Sequence, residues 1–146
     1  MITLATLPTC TAQEVFDYIA NHLLSQGEKC QEIDDFGEGP VCVYKNGDNQ
    51  RCAAGCLFGQ GEYNPSFEGN NWVNLRDKGI VPETHFGLIT ALQRVHDTVL
   101  ADMWYRALQL IARDFNLDAH NLVQYGGENN YVKRLPCPQT VLILDP

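Results

Sequence analysis

Leu100-Ala-Asp-Met-Trp-Tyr-Arg-Ala-Leu-Gln-Leu-Ile-Ala-Arg-Asp-Phe115 carries the strongest periodic signal in the chain. Leu100, Trp104, Ala107, Leu108, Ile111 and Phe115 recur at the spacing that lines one face of an α-helix with apolar side chains, and Asp102 and Arg106 fall on the opposite face. Upstream, Leu88, Leu92, Val95 and Val99 form a second stripe, with Thr84 placed to cap it. His96-Asp97-Thr98 sets two capping side chains in the middle of the run. The pattern therefore predicts a break there, which permits an antiparallel helix pair.

Working outward, Thr11-Ala-Gln-Glu14 is a capping box ahead of Val15, Phe16, Ile19, Ala20, Leu23 and Leu24, and Gly27 is a C-terminal stop. A helix is predicted over Ala12 to Gln26. Glu28 to Pro40 lacks periodicity and reads as a surface loop. Val41-Cys-Val-Tyr44 reads as a strand and Asn46-Gly47 as a turn. Arg51-Cys-Ala-Ala-Gly-Cys-Leu-Phe58 fits either a returning strand or a short helix. The small residues Ala53, Ala54 and Gly55 favour the helix, closely packed on another backbone. From Gly59 to Pro82 a Gly- and Asn-rich crossing carries a helical turn at Asn64-Pro65 and anchors at Trp72, Val73 and Leu75. Asp118 is placed to cap a last short helix, and Thr140-Val-Leu-Ile-Leu144 reads as a strand that could pair with Val41 to Tyr44. The fold class expected is α+β, a mainly helical single domain with a small antiparallel sheet.

The 146 residues suit one hydrophobic core. Eighteen Asp and Glu against ten Lys and Arg give a net charge of −8. That balance argues against direct nucleic-acid binding and against an anionic membrane surface, both of which need clustered cations. No run of 18 apolar residues offers a transmembrane helix. The opening Met1 to Pro8 lacks the basic start of a signal peptide, so a cytoplasmic location is expected, with the six cysteines as free, mostly buried thiols.

Chemistry is sparse. Cys52 and Cys56 share a face if helical, but no second close Cys or His pair completes a metal site, and no metal or cofactor is expected. A thiol nucleophile at Cys52 is the sharper enzyme reading: a helix N-terminus and Arg51 would favour the thiolate, and His96 would be the base. Asp97 could not orient His96 if both are helical, because adjacent side chains diverge by roughly 100°. Glu32, Asp34, Asp35 and Glu38 form an acidic group without the spacing of a calcium loop. Tyr63 and Trp72 stand in the Gly- and Asn-rich crossing as candidate ligand contacts.

The order of Ser25-Gln-Gly27, Cys42 and Tyr44, Cys52-Ala-Ala-Gly-Cys-Leu57, His96-Asp97 and Trp104 before Ile111-Ala112 resembles small uncharacterised proteins of bacteriophages and bacteria. The resemblance covers about Thr11 to Leu117 and implies an accessory phage or prophage product in a bacterial cytoplasm. The leading expectation is a non-enzymatic binding module that modulates or inhibits a host protein with a basic surface, met by Glu32, Asp34, Asp35 and Glu38. A Cys52-His96 hydrolase or transferase comes second. A pocket at Tyr63 and Trp72 that sequesters a small nucleotide-like ligand comes third.

Overall fold

The computed structural model describes residues 1–126. Helix α1 spans Ala12–Gln26, as its capping box predicts: the Thr11 hydroxyl accepts from the Glu14 amide, the Glu14 carboxylate accepts from the Thr11 amide, and Gly27 ends the helix at φ 73°. Val15, Phe16, Ile19, Ala20 and Leu23 are buried. Helices α2 (Trp72–Asp77), α3 (Phe86–Thr98), α4 (Trp104–Asp114) and α5 (Val123–Gly126) follow. Helices α1, α3 and α4 pack on one another around one continuous apolar cluster that runs from Ile2 to Leu122. Mainly helical α+β architecture is thus what the chain adopts.

The helix breaks just past His96-Asp97-Thr98, the stretch where the sequence places the break, and with different chemistry. Asp97 stays inside α3, and a 3₁₀ turn at Ala101–Met103 leads into α4. The Trp104 indole N–H donates to the Val99 carbonyl at 3.0 Å and closes the corner. This turn changes the helical phase, so Leu100 lies outside the core at 70% exposure, and Phe115, one residue beyond α4, is partly exposed. Trp104, Leu108 and Ala112 supply the buried face instead. Thr84 is not the cap of α3; His85 is, in the left-handed region at φ 57°, donating from Nε2 to the Cys10 carbonyl at 2.6 Å. Asp118 does meet the last short turn, accepting from the His120 amide at 2.7 Å.

The sheet differs from its expected pairing. Val41 lies in β2 (Pro40–Cys42), which pairs antiparallel with β1 (Gln31–Ile33), inside the stretch expected to be loop. Three-residue strands are too short to show a period. Their turn is made by Gly37 and Gly39 at positive φ and by Asp34, whose carboxylate accepts from the Phe36 and Glu38 amides. The expected return at Arg51 is reduced to an isolated bridge between Lys45 and Arg51 around Asn46, whose side-chain oxygen accepts from the Asp48 and Gln50 amides. The strand expected at residues 140–144 lies outside the described residues.

The 51–58 segment is a loop closing in one 3₁₀ turn at Gly55–Leu57. Close approach here is literal: a Cβ on Gly55 would stand 2.1 Å from the Tyr44 carbonyl oxygen. Among the described residues no helix is long and apolar enough to cross a membrane.

Two stability measurements check this packing. Trp104→Ala is expected to lower unfolding free energy by roughly 3–5 kcal/mol while Leu100→Ala stays within about 0.5 kcal/mol in urea titration. Gly55→Ala is expected to cost about 1–3 kcal/mol or more, because its added methyl meets backbone and not a flexible side chain.

Candidate functional site

His96 is fully buried and joins the hairpin to the helices. Its Nε2 receives the Cys30 amide at 2.9 Å, its Nδ1 lies 2.8 Å from Asp97 Oδ1, and its ring stacks on Trp104 with centroids 5.6 Å apart. An amide can only donate, so Nε2 carries the lone pair, the proton sits on Nδ1, and Asp97 accepts it. Neither nitrogen remains to act as a base. The expected role of His96 as catalytic base therefore has no free atom behind it.

The reading that His96 and Asp97 could not pair within a helix is overturned by the 2.8 Å contact. The Cys30 amide fixes one edge of the ring and so turns the Nδ1 edge, the one nearer its own backbone, toward the neighbouring carboxylate. Two short side chains then bridge the angle between their Cβ directions. Asp97 also accepts from Gln93 Nε2 at 2.8 Å. Its partial burial alone would raise its pKa, but the hydrogen bonds from His96 and Gln93 outweigh that and hold the carboxyl below its ordinary value.

Cys42 completes the group, with its sulfur and the ligand atoms of His96 and Asp97 all within 4.8 Å of one another. Three such residues would suit a soft divalent metal if each offered a lone pair. Here His96 offers none. Burial, and then the Asp97 charge, raise the Cys42 thiol, and its sulfur accepts from Gln31 Nε2 at 3.8 Å. The group is a hydrogen-bonded His96–Asp97 pair with the Cys42 sulfur beside it.

Cys52 is buried, and its sulfur accepts from the Gly55 amide at 3.2 Å. Burial pushes its thiol well above the ordinary range. The two expected activators are elsewhere. Cys52 precedes the short 3₁₀ turn without opening an α-helix, and the Arg51 charge acts on Cys56, whose thiol burial nonetheless pushes up to about 12. A nucleophilic Cys52 is not supported by this geometry.

Trp72 and Tyr63, expected to meet one ligand, share an aromatic cluster around Phe58 but line different cavities. Trp72 is buried in α2 and borders a cavity of about 250 Å³ together with Cys42, Tyr44, Cys52 and Asp97. Its indole N–H has no partner among the described residues.

The acidic group is divided by the hairpin. Glu32 accepts from the Gly47 amide at 2.6 Å, and Asp34 shapes the turn. Asp35 and Glu38 are exposed, with no side-chain partner among the described residues. Between them Phe36 stands 86% exposed, with Ile33 and Val41 also exposed on the strands. Val41 is readable from the sequence only as part of a strand, and Ile33 and Phe36 carry no periodic signal; an aromatic inside Asp34-Asp-Phe-Gly-Glu38, with no periodic neighbour to pack on, was the available signal.

Comparison of the chain with models of protein families, with curated proteins and with solved structures found no match.

Thiol labelling of the native protein checks the site. Cys10 and Cys42, both partly exposed, are expected to react with a disulfide reagent well ahead of the buried Cys30, Cys52 and Cys56, which should label at the rate of unfolding. His96→Phe keeps an aromatic ring against Trp104 but strands the Cys30 amide; a loss of about 1–3 kcal/mol in denaturant titration is expected.

Proposed function

We propose that this chain is a non-enzymatic binding module whose contact surface is the β1–β2 hairpin. One observation carries the reading: Phe36 is 86% exposed at the tip, flanked by the carboxylates of Asp35 and Glu38, which have no partner among the described residues. Leaving a phenyl ring in water forgoes roughly 1.5–3 kcal/mol of burial, a cost that contact with a partner would remove. Aromatic side chains at the centre of an acidic rim suit a basic protein surface with an apolar socket: the ring supplies affinity, and the charge supplies steering and register. Net charge −8 acts in the same sense over longer distances. The resemblance to phage proteins casts the partner as a bacterial host factor met in the cytoplasm. Nucleic acid is disfavoured as a direct partner by the same charge.

The buried Cys52 and fully engaged His96 leave the thiol-enzyme alternative without an activated group. The test is a titration of a partner isolated from bacterial lysate and purified, followed by calorimetry at two salt concentrations. The triple variant D35K/F36S/E38K is expected to lose at least about tenfold in affinity and most of its salt dependence, with Cys52→Ala binding as the unchanged chain does. Retained affinity in the hairpin variant, or loss in folded Cys52→Ala, would reject the proposal.

A further inference from the structure

A second cavity, of about 640 Å³, opens beside α1 and is walled by the loop from Phe58 to Tyr63. Its size falls in the usual range for small-molecule sites. Lys45 and Arg51 line it, with the rings of Tyr18, Phe58 and Tyr63, and among the described residues no Asp or Glu does so. In a chain with eighteen acidic and ten basic residues this is a local inversion of charge.

The two cations are held but not neutralised. Arg51 Nη1 donates to the Gly55 and Phe58 carbonyls, each at 3.2 Å, which fixes the guanidinium plane. Its Nε and Nη2 have no partner among the described residues. Lys45 Nζ lies 5.7 Å from the centroid of the Tyr63 ring. Neither forms an ion pair among the described residues. Glu62 and Glu68, the carboxylates of the adjoining loop, are turned elsewhere: Glu62 accepts from the Leu4, Ala5 and Gly59 amides, and Glu68 from the Tyr44 and Lys45 amides and the Tyr63 hydroxyl. Half-buried cations ordinarily have a counter-charge, and an immobilised guanidinium fork presents two donors in the geometry of a phosphate or carboxylate. The volume exceeds what an inorganic anion fills, and the partly exposed rings of Tyr18 and Tyr63 offer planar surfaces for stacking.

We infer that this cavity binds a small organic anion with a planar ring, of the class of a nucleoside monophosphate, with Arg51 and Lys45 on the anionic group and Tyr63 beside the ring. The inference stands apart from the hairpin reading, because it uses no residue of the hairpin tip. It also separates Tyr63 from Trp72, which sequence reasoning had joined in one site.

Titration of the protein with each of the four common ribonucleoside monophosphates, followed by calorimetry and thermal shift, tests it. At least one is expected to bind, with the matching nucleoside and inorganic phosphate each at least about tenfold weaker, since each supplies only half of the contacts. Lys45→Glu, checked for folding by circular dichroism, is expected to weaken binding at least about tenfold, and Phe36→Ser to leave it unchanged. Arg51→Gln should behave as Lys45→Glu does; where it unfolds, Lys45→Glu decides. No binding at millimolar monophosphate, full affinity in Lys45→Glu, loss in Phe36→Ser, or a single-stranded oligonucleotide binding more tightly than any monophosphate would each overturn the inference.

Discussion

Cys30 enters the hairpin with its amide buried, and a buried N–H without an acceptor costs free energy comparable to a lost hydrogen bond. His96 supplies the acceptor from the last turn of α3, a long way off in sequence. That one bond fixes the imidazole tautomer, and the tautomer in turn directs Nδ1–H to Asp97. The ring then lies flat against Trp104, which fixes the corner to α4 through the Val99 carbonyl. The hairpin, α3 and α4 are thus placed by one side chain whose every polar atom is committed. Lys29 adds a further link, donating to the Asp97 carbonyl near the end of α3, where positive charge is favoured.

The same commitment leaves the His96 imidazole no free nitrogen for acid–base work, although residues of catalytic type surround it. Cysteine, histidine and aspartate lie within 4.8 Å of one another, but the hydrogen bonds run from the Cys30 amide to the imidazole and from the imidazole to the carboxylate. A thiol nucleophile needs the imidazole lone pair next to sulfur. Here the backbone holds that lone pair, and burial, with the Asp97 charge beside it, raises the Cys42 thiol. Proximity is therefore a poor guide unless the donor and acceptor of each contact are assigned.

Charge is distributed with comparable economy. Glu32, Asp34, Glu62 and Glu68 accept backbone amides and so hold turns in place. This leaves Asp35 and Glu38 to face solvent around Phe36, and Lys45 and Arg51 to face a cavity with no carboxylate in its wall among the described residues. An overall charge of −8 thus conceals two surfaces of opposite character, each created by which acids the backbone consumes.

Local signals were legible where local physics suffices. The α1 boundaries follow from Thr11, Glu14 and Gly27, since a capping box and a left-handed glycine act within a few residues. The Asn64 turn, the break after Thr98 and the tight fit of Gly55 were also readable, as was the mainly helical class. What the sequence could not determine depends on partners distant along the chain. The burial of the Cys30 amide depends on its meeting His96; the exposure of Leu100 follows from the phase change at the 3₁₀ turn; Arg51 faces Cys56 and not Cys52 because two carbonyls hold its guanidinium. Periodicity reports the face a side chain takes within one element. Burial, protonation and the direction of a hydrogen bond are set only when the elements meet, because each is a property of the pair.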